Sequence, residues 1–291
     1  MTPSAADARA FLAEEIRVVH NITSPRIIDA LATVPRERFL GPGPWQMFSM
    51  AGPRMTDDAN PRHVYHDTSF ALDAARALYN GQPSLIATWL EALRIGEGSR
   101  VVHIGCATGY FTALIAHVVG PAGSVHAIEI DPGFVERARV NLAEWPWVRV
   151  HHGNGMSGLP SEAHAVLVHA GATHLLDAWL DALADDGRLL VPLTCGLPGM
   201  AATLGKGMTV LITRERAQEY RARVLSMVAI YSLQEARDEE HAAALGQAML
   251  AGTFASVTRL RRDRHDASDT CWLHGENCLS IAPKTPRPTP P

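Results

Sequence analysis

Gly105, Ala107 and Gly109 stand at alternate positions in RVVHIGCATGYFTALIAHVVG, Arg100 to Gly120. An apolar run leads into them and a helical rhythm follows. Residues with little side chain let the backbone turn sharply and let a ligand approach it closely. The helix starting near Tyr110 presents free N–H groups at its first turn. Glu129 closes the next apolar run, HAIEID, twenty residues after Gly109. A carboxylate there can accept both hydroxyls of a ribose. Strand, small-residue turn, helix, strand and acid together indicate an adenosine-containing cofactor. Dinucleotides prefer G-x-G-x-x-G. Here the spacing is G-x-A-x-G, without a third glycine at the matching offset, so a nicotinamide dehydrogenase is a rival reading.

Alternation from residue 100 onward supplies the elements that position this turn. RVVHIG, SVHAIEI, VRVHHG, AHAVLVHAG and GRLLVPLT read as strands. YFTALIAHVV, PGFVERARVNLAEW and LLDAWLDALA read as helices. Strands and helices in alternation with short connections imply a parallel sheet covered on both faces. The right-handed crossover rule makes it doubly wound. MTVLITRE and ARVLSMVAIYSL add two strands as an antiparallel edge. The expected fold is α/β: a doubly wound, mostly parallel, seven-stranded Rossmann-like sheet with an N-terminal helical segment and a small C-terminal extension.

Four segments follow: 1–80 helical and loop-rich, 81–235 the cofactor-binding domain, 236–282 an extension, and 283–291 a disordered tail. Ser4 is placed to cap a first helix whose Ala8, Phe11, Leu12, Ile16 and Val19 recur at helical spacing. Ser24 and Pro25 open a second. The end, PKTPRPTPP, is too rich in proline for a core.

The chain has 26 Lys+Arg against 30 Asp+Glu, net −4, and no basic block suited to nucleic acid. RLRRDRH reads as a solvated strand end. No apolar window reaches the roughly 18 residues a membrane span needs, and the N-terminus lacks a secretory h-region. The expectation is a cytoplasmic protein with no membrane or nucleic-acid partner, its four cysteines reduced. Oligomeric state is not readable.

VVHIGCATGY, AIEID, HHGNGMSGLP and LLDAWLDALADDGRLLVPL resemble the motifs of class I S-adenosylmethionine-dependent methyltransferases. ALATVPRERFL, IGCATGYFTALIA and GNGMSGLP with GRLLVPL resemble the protein-L-isoaspartate O-methyltransferase family more narrowly, over about residues 25 to 232. The resemblance implies S-adenosyl-L-methionine as cofactor. Gly105, Ala107, Gly109 and Tyr110 would line its methionine part, Glu129 and Ile130 its ribose, and Asn154 and Gly155 its adenine, with Gln82 nearby. Asn154 stands where that family usually has Asp. His103 stands where an acid is common. If it faces the cofactor it must be neutral, because an imidazolium would repel the ammonium and sulfonium. The plainer reading is a strand histidine satisfied by a neighbour.

The isoaspartyl enzymes carry a Gly-Gln-Thr-Ile-Ser type segment before a proline-led helix. Here ALYNG precedes Gln82 and Pro83, so the hydroxyl position is Gly81. The resemblance thus carries the cofactor chemistry further than the repair activity. A carboxylate acceptor is already anionic and needs positioning more than a base. A hydroxyl or amine acceptor needs proton removal, most often by His. The candidate acceptor-side residues are His169, His66 beside Asp67, and Asn80. Acceptors in play are a carboxylate on a peptide or protein and a small natural product. A silent cofactor-binding module is a further alternative. His265, Cys271, His274 and Cys278 are zinc-type ligands at irregular spacing. They read as ordinary strand and turn residues, with no metal expected.

Overall fold

The computed structural model describes residues 3–49, 51–196, 203–216, 219–235 and 237–281. The expected tail, 283–291, lies outside the described residues. Two compact units divide the chain, Met1–Gly155 and Met156–Pro291.

The first unit opens with α1 (Ala5–Val19) and α2 (Pro25–Thr33). Ser4 Oγ accepts from the Asp7 N–H at 3.1 Å, and Asp7 Oδ2 accepts from the Ser4 N–H at 3.0 Å. This reciprocal capping box fixes where α1 begins. α1 buries Leu12, Ala13 and Ile16. Phe11 and Val19, expected on the same stripe, are 72% and 68% exposed, because the covered face is narrower than the apolar spacing. Two short antiparallel ribbons follow, β1 (Gln46–Met47) with β2 (Arg54–Met55) and β3 (Ala71–Asp73) with β4 (Leu78–Tyr79). Then comes α3 (Pro83–Leu93), led by its proline.

The strand–helix alternation predicted from residue 100 is present. It runs β5 (Arg100–Ile104), α4 (Tyr110–Val119), β6 (Ser124–Glu129), α5 (Pro132–Asn141) and β7 (Val148–His152). β5, β6 and β7 pair in parallel. All of β5 beyond Arg100 is buried, and so is all of α4 except His117, as a sheet covered by helices requires. The register sets Ile104 against Ile128. Glu129 therefore arrives one strand over from Gly105, at the same height.

The second unit holds β8 (Ala163–Val168), α6 (Asp177–Asp181), β9 (Leu183–Cys195), β10 (Leu204–Arg214), β11 (Tyr220–Tyr231), α7 (Glu239–Ala251), β12 (Arg259–Arg261), β13 (Cys271–Leu273) and β14 (Cys278–Ser280). Their order is β13-β14-β12-β11-β10-β9-β8. Among the described residues, β8 and β9 are the strands of this unit that pair in parallel; the other strand pairings are antiparallel, with isolated parallel bridges at Gly171–Ser232 and Ala172–Leu193. The expectation of a mostly parallel, seven-stranded sheet is thus corrected to a mixed one. Among the described residues no helix long enough for a crossover lies between β9 and β11, and successive strands reverse direction. β10 and β11 do pair antiparallel as expected, but they are not an edge: β12 continues beyond β11. α6 is shorter than LLDAWLDALA suggests. β9 begins at Leu183 and makes an irregular step, Ala163 facing Leu183 and Ala165 facing Arg188. Among the described residues, no helix is long and apolar enough to cross a membrane.

Candidate functional site

The turn after β5 is built from three left-handed residues: Gly105 at φ +82°, Ala107 at +49° and Gly109 at +98°. Gly105 and Cys106 both donate to the carbonyl of Ile128, at 2.8 and 3.2 Å. Gly109 caps α4, and its N–H closes the turn on the Cys106 carbonyl at 2.9 Å. Ala107 has no glycine exemption, and the left-handed region costs an L-residue roughly 1–2 kcal/mol. Its N–H donates to Glu129 Oε2 at 2.7 Å, which offsets that strain. Beyond β7, Gly155 also sits at positive φ. A Cβ there would lie 2.5 Å from Ile104 Cγ2, so the loop must have glycine to reach the end of β5.

Glu129 is 7% exposed. Its Oε1 accepts from the N–H groups of Ile130 and Asp131 at 2.9 and 3.0 Å. Its Oε2 accepts only Ala107 among the described donors. A carboxylate offers about four acceptor positions, so one remains, on Oε2. The residues present therefore fit a ribose, with room for one hydroxyl rather than the expected two unless the Ala107 bond is shared.

The remaining sequence-derived candidates divide sharply. His103 is fully buried, with Nδ1 2.9 Å from the Thr112 hydroxyl on α4. Tyr110 is buried against Phe39, ring centroids 5.5 Å apart, so its side chain belongs to the core while its N–H opens the helix. Asn154 is half-buried in the loop before Gly155. Gln82 donates to Asp67 Oδ2 at 2.8 Å, and Asp67 Oδ1 accepts from the Ser84 N–H at 2.8 Å. Asp67 thereby caps α3. His66 is exposed. Asn80 is 7% exposed, and its Oδ1 accepts from the Phe70 N–H at 2.8 Å and from Arg36 at 3.1 Å.

Arg36 is the residue that sequence reasoning missed. It is completely buried. Nη1 donates to the carbonyls of Val64 and His66 at 2.9 and 3.0 Å. Nη2 donates to the carbonyls of Thr68 and Gly81 at 2.7 and 3.1 Å, besides Asn80. The guanidinium lies 5.0 Å from the Phe70 ring centre and 5.7 Å from that of Tyr110. Burial pushes its pKa down to about 10, partly opposed by Tyr110 and Asp67, so it is cationic at neutral pH. One side chain thus gathers the whole 64–81 loop. In the sequence Arg36 is one of three consecutive charged residues in ATVPRERFL, with Glu37 and Arg38, and nothing there sets it apart.

In the second unit, His169 follows β8 and is half-buried. Desolvation pushes its imidazole down to about 4 from an ordinary 6.5. Between those values the unfolded chain binds a proton that the folded chain refuses, so stability rises with pH across the window and is complete above it. Replacing His169 with Gln should remove about 1–3 kcal/mol of the difference in unfolding free energy between pH 4 and pH 7. Urea titrations of both proteins at both pH values measure this; identical differences would mean the ring is not desolvated.

Comparison with known proteins bears on the same segments. Residues 8–206 match the family model of protein-L-isoaspartate(D-aspartate) O-methyltransferase (PCMT). A protein-L-isoaspartate O-methyltransferase of Burkholderia vietnamiensis is 33% identical over 189 residues, 63% of this chain and 54% of that one. One of Aeropyrum pernix is 30% identical over 192 residues, 64% of this chain and 67% of that one. The chain thus spans about half the length of the Burkholderia relative. A solved protein-L-isoaspartate O-methyltransferase superposes with a TM-score of 0.64 at 22% identity, covering 83% of this chain and 69% of that one. A Plasmodium falciparum beta-aspartate methyltransferase (PCMT) in complex with S-adenosyl-L-homocysteine gives 0.58 at 18% identity, covering 78% and 98%. At these identities the two structures speak for the fold.

Proposed function

Because the chain belongs to the protein-L-isoaspartate(D-aspartate) O-methyltransferase family, we propose that it transfers a methyl group from S-adenosyl-L-methionine to a carboxylate of a peptide or protein, with residues 81–235 as its catalytic domain. The observation that carries this is the turn at residues 105–109 tied to a buried carboxylate that keeps one free acceptor position. When bound, S-adenosylmethionine supplies an electrophilic methyl group on a cationic sulfur. The chain's own task is to hold the nucleoside by Glu129, to leave its backbone open at Gly105 and Ala107, and to position an acceptor that needs no deprotonation. A fully buried His103 bonded to Thr112 suits this scheme as a wall of the turn.

We further propose an acceptor pocket that differs from the isoaspartyl repair pattern. Gly81, at the position of the missing hydroxyl, has φ +82° and gives its carbonyl to Arg36. A serine in that conformation would carry left-handed strain of roughly 1–2 kcal/mol, so a hydroxyl cannot simply be restored there. His66, His169 and Asn80 are the acceptor-side candidates; the Asn80 oxygen serves the loop, while its amide nitrogen has no partner among the described residues.

Calorimetry with S-adenosylmethionine followed by methyl transfer to isoaspartyl, aspartyl and C-terminal carboxylate peptides tests the scheme. The expected result is saturable binding and a base-labile methyl ester, with the isoaspartyl peptide not preferred. No cofactor binding, or a methyl group stable to alkali, overturns carboxyl methylation. Binding without turnover on any peptide identifies a silent module.

A further inference from the structure

Beyond the stretch matched by the family lies a cluster that the irregular sequence spacing hid. One ligand-type atom each from His265, Cys271, His274 and Cys278 lies within 4.8 Å of every other. We propose that these four side chains form a structural zinc site that ties the C-terminal extension together.

The geometry is close to what the ion requires. Zinc binds thiolate sulfur at about 2.3 Å and imidazole nitrogen at about 2.0–2.1 Å in a tetrahedron, which sets ligand atoms roughly 3.3–3.8 Å apart. Cys271 Sγ and His265 Nε2 are already 3.4 Å apart. Closing the set requires shifts of about 1 Å or less. Two sulfurs and two nitrogens in a tetrahedral array favour zinc among common metals. Four protein ligands leave no open position, so the role is structural.

Second contacts orient the ligands, as metal sites require. The carbonyl of Asp263 accepts from His265 Nδ1 at 2.7 Å. That contact fixes the tautomer and leaves Nε2 facing Cys271. Asp263 is itself held by Arg261 through bonds of 3.0 and 2.6 Å. Ser268 Oγ lies 3.6 Å from Cys271 Sγ. Trp272, between two ligands, donates its indole N–H to the Gly252 carbonyl at 2.9 Å, anchoring β13 beyond the end of α7.

The extension also has need of such a tie. β12, β13 and β14 are three residues each, and β12 joins β11 through only two residue pairs, Leu260 with Tyr220 and Arg259 with Arg221, so the attachment is weak. Cys278 is fully buried, His265 and Cys271 half-buried and His274 exposed. Metal entry from the His274 side displaces one proton from each thiol, and the zinc–ligand bonds then add to folding free energy.

Metal analysis of the full chain purified from zinc-containing medium tests the proposal. About one zinc per chain is expected, falling to none in Cys271→Ser/Cys278→Ser and unchanged in Cys195→Ala, whose thiol lies elsewhere in the second unit. Cobalt replacement should give the intense visible bands of a tetrahedral thiolate site. His274→Gln, at an exposed position and therefore able to fold, should alter those bands. Absence of zinc and of cobalt bands overturns the site. So does zinc retained in the double serine variant, or a Cys271–Cys278 disulfide found by peptide mapping without reductant.

Discussion

Arg36→Met unfolds with roughly 3–5 kcal/mol less free energy than the native chain, a fall in Tm on the order of 10 °C. Methionine fills most of the volume but donates nothing. Four carbonyls and the Asn80 amide oxygen then lose the donor that gathers them. Buried acceptors left unpaired cost about 1–3 kcal/mol each before water relieves some of them. The two rings on which the guanidinium rests, Phe70 and Tyr110, also lose a cation. Arg36→Lys should fall between, because one ammonium has three donors and a compact head that cannot span five acceptors. Hydrogen exchange localises the loss: amides of residues 64–81 should exchange much faster in the variant, with those of β6 less affected. A Met variant within about 1 kcal/mol of the native chain would mean that water already satisfies this loop.

That residue also shows where sequence reading stops. The cofactor turn was legible because its chemistry is local: apolar strand, small residues, helix, and an acid whose height is set by parallel register. Arg36 was not, because its acceptors are backbone carbonyls 28 to 45 positions downstream, and a carbonyl leaves no mark in a sequence. Asn80 read evenly as a substrate contact or as a residue that fixes the loop, and its oxygen does the second. An amide that serves a neighbouring backbone N–H looks the same in one dimension as one that faces a ligand. The antiparallel pairing of β10 with β11 was expected; the continuation of the sheet through β12, β14 and β13 was not, because strands of three residues leave too little pattern to assign a partner. The four zinc-type ligands were discounted on spacing. The β13–β14 hairpin pairs Cys271 with Ser280, which leaves the Cys271 and Cys278 ligand atoms within 4.8 Å of one another, so sequence separation is a poor guide to their distance.

Glu129→Gln should separate charge from shape at the centre of the proposed nucleoside site. The carboxylate accepts three backbone N–H groups, one at Oε2 and two at Oε1. An amide can accept at one end only. If its oxygen faces Ile130 and Asp131, its NH2 faces the Ala107 N–H, donor against donor at what was a 2.7 Å bond. The reverse orientation leaves two donors opposed. Hydrogen bonds to a charged group contribute about 1.5–3 kcal/mol each, so the variant should lose roughly 2–4 kcal/mol of stability. Ala107, left-handed at φ +49°, then has nothing to hold it, and the turn should open. In the first orientation, which opposes one donor rather than two, the substitution also removes the free acceptor position on Oε2. Affinity for S-adenosylhomocysteine, read by calorimetry below the melting range, should fall by at least tenfold, about 1.4 kcal/mol. Glu129→Asp keeps the charge but falls one methylene short of Ala107, so it should weaken binding while costing less stability than Gln. Native affinity in a folded Gln variant would place the ribose contact elsewhere. The register that brings β6 level with Gly105 would then serve the turn alone.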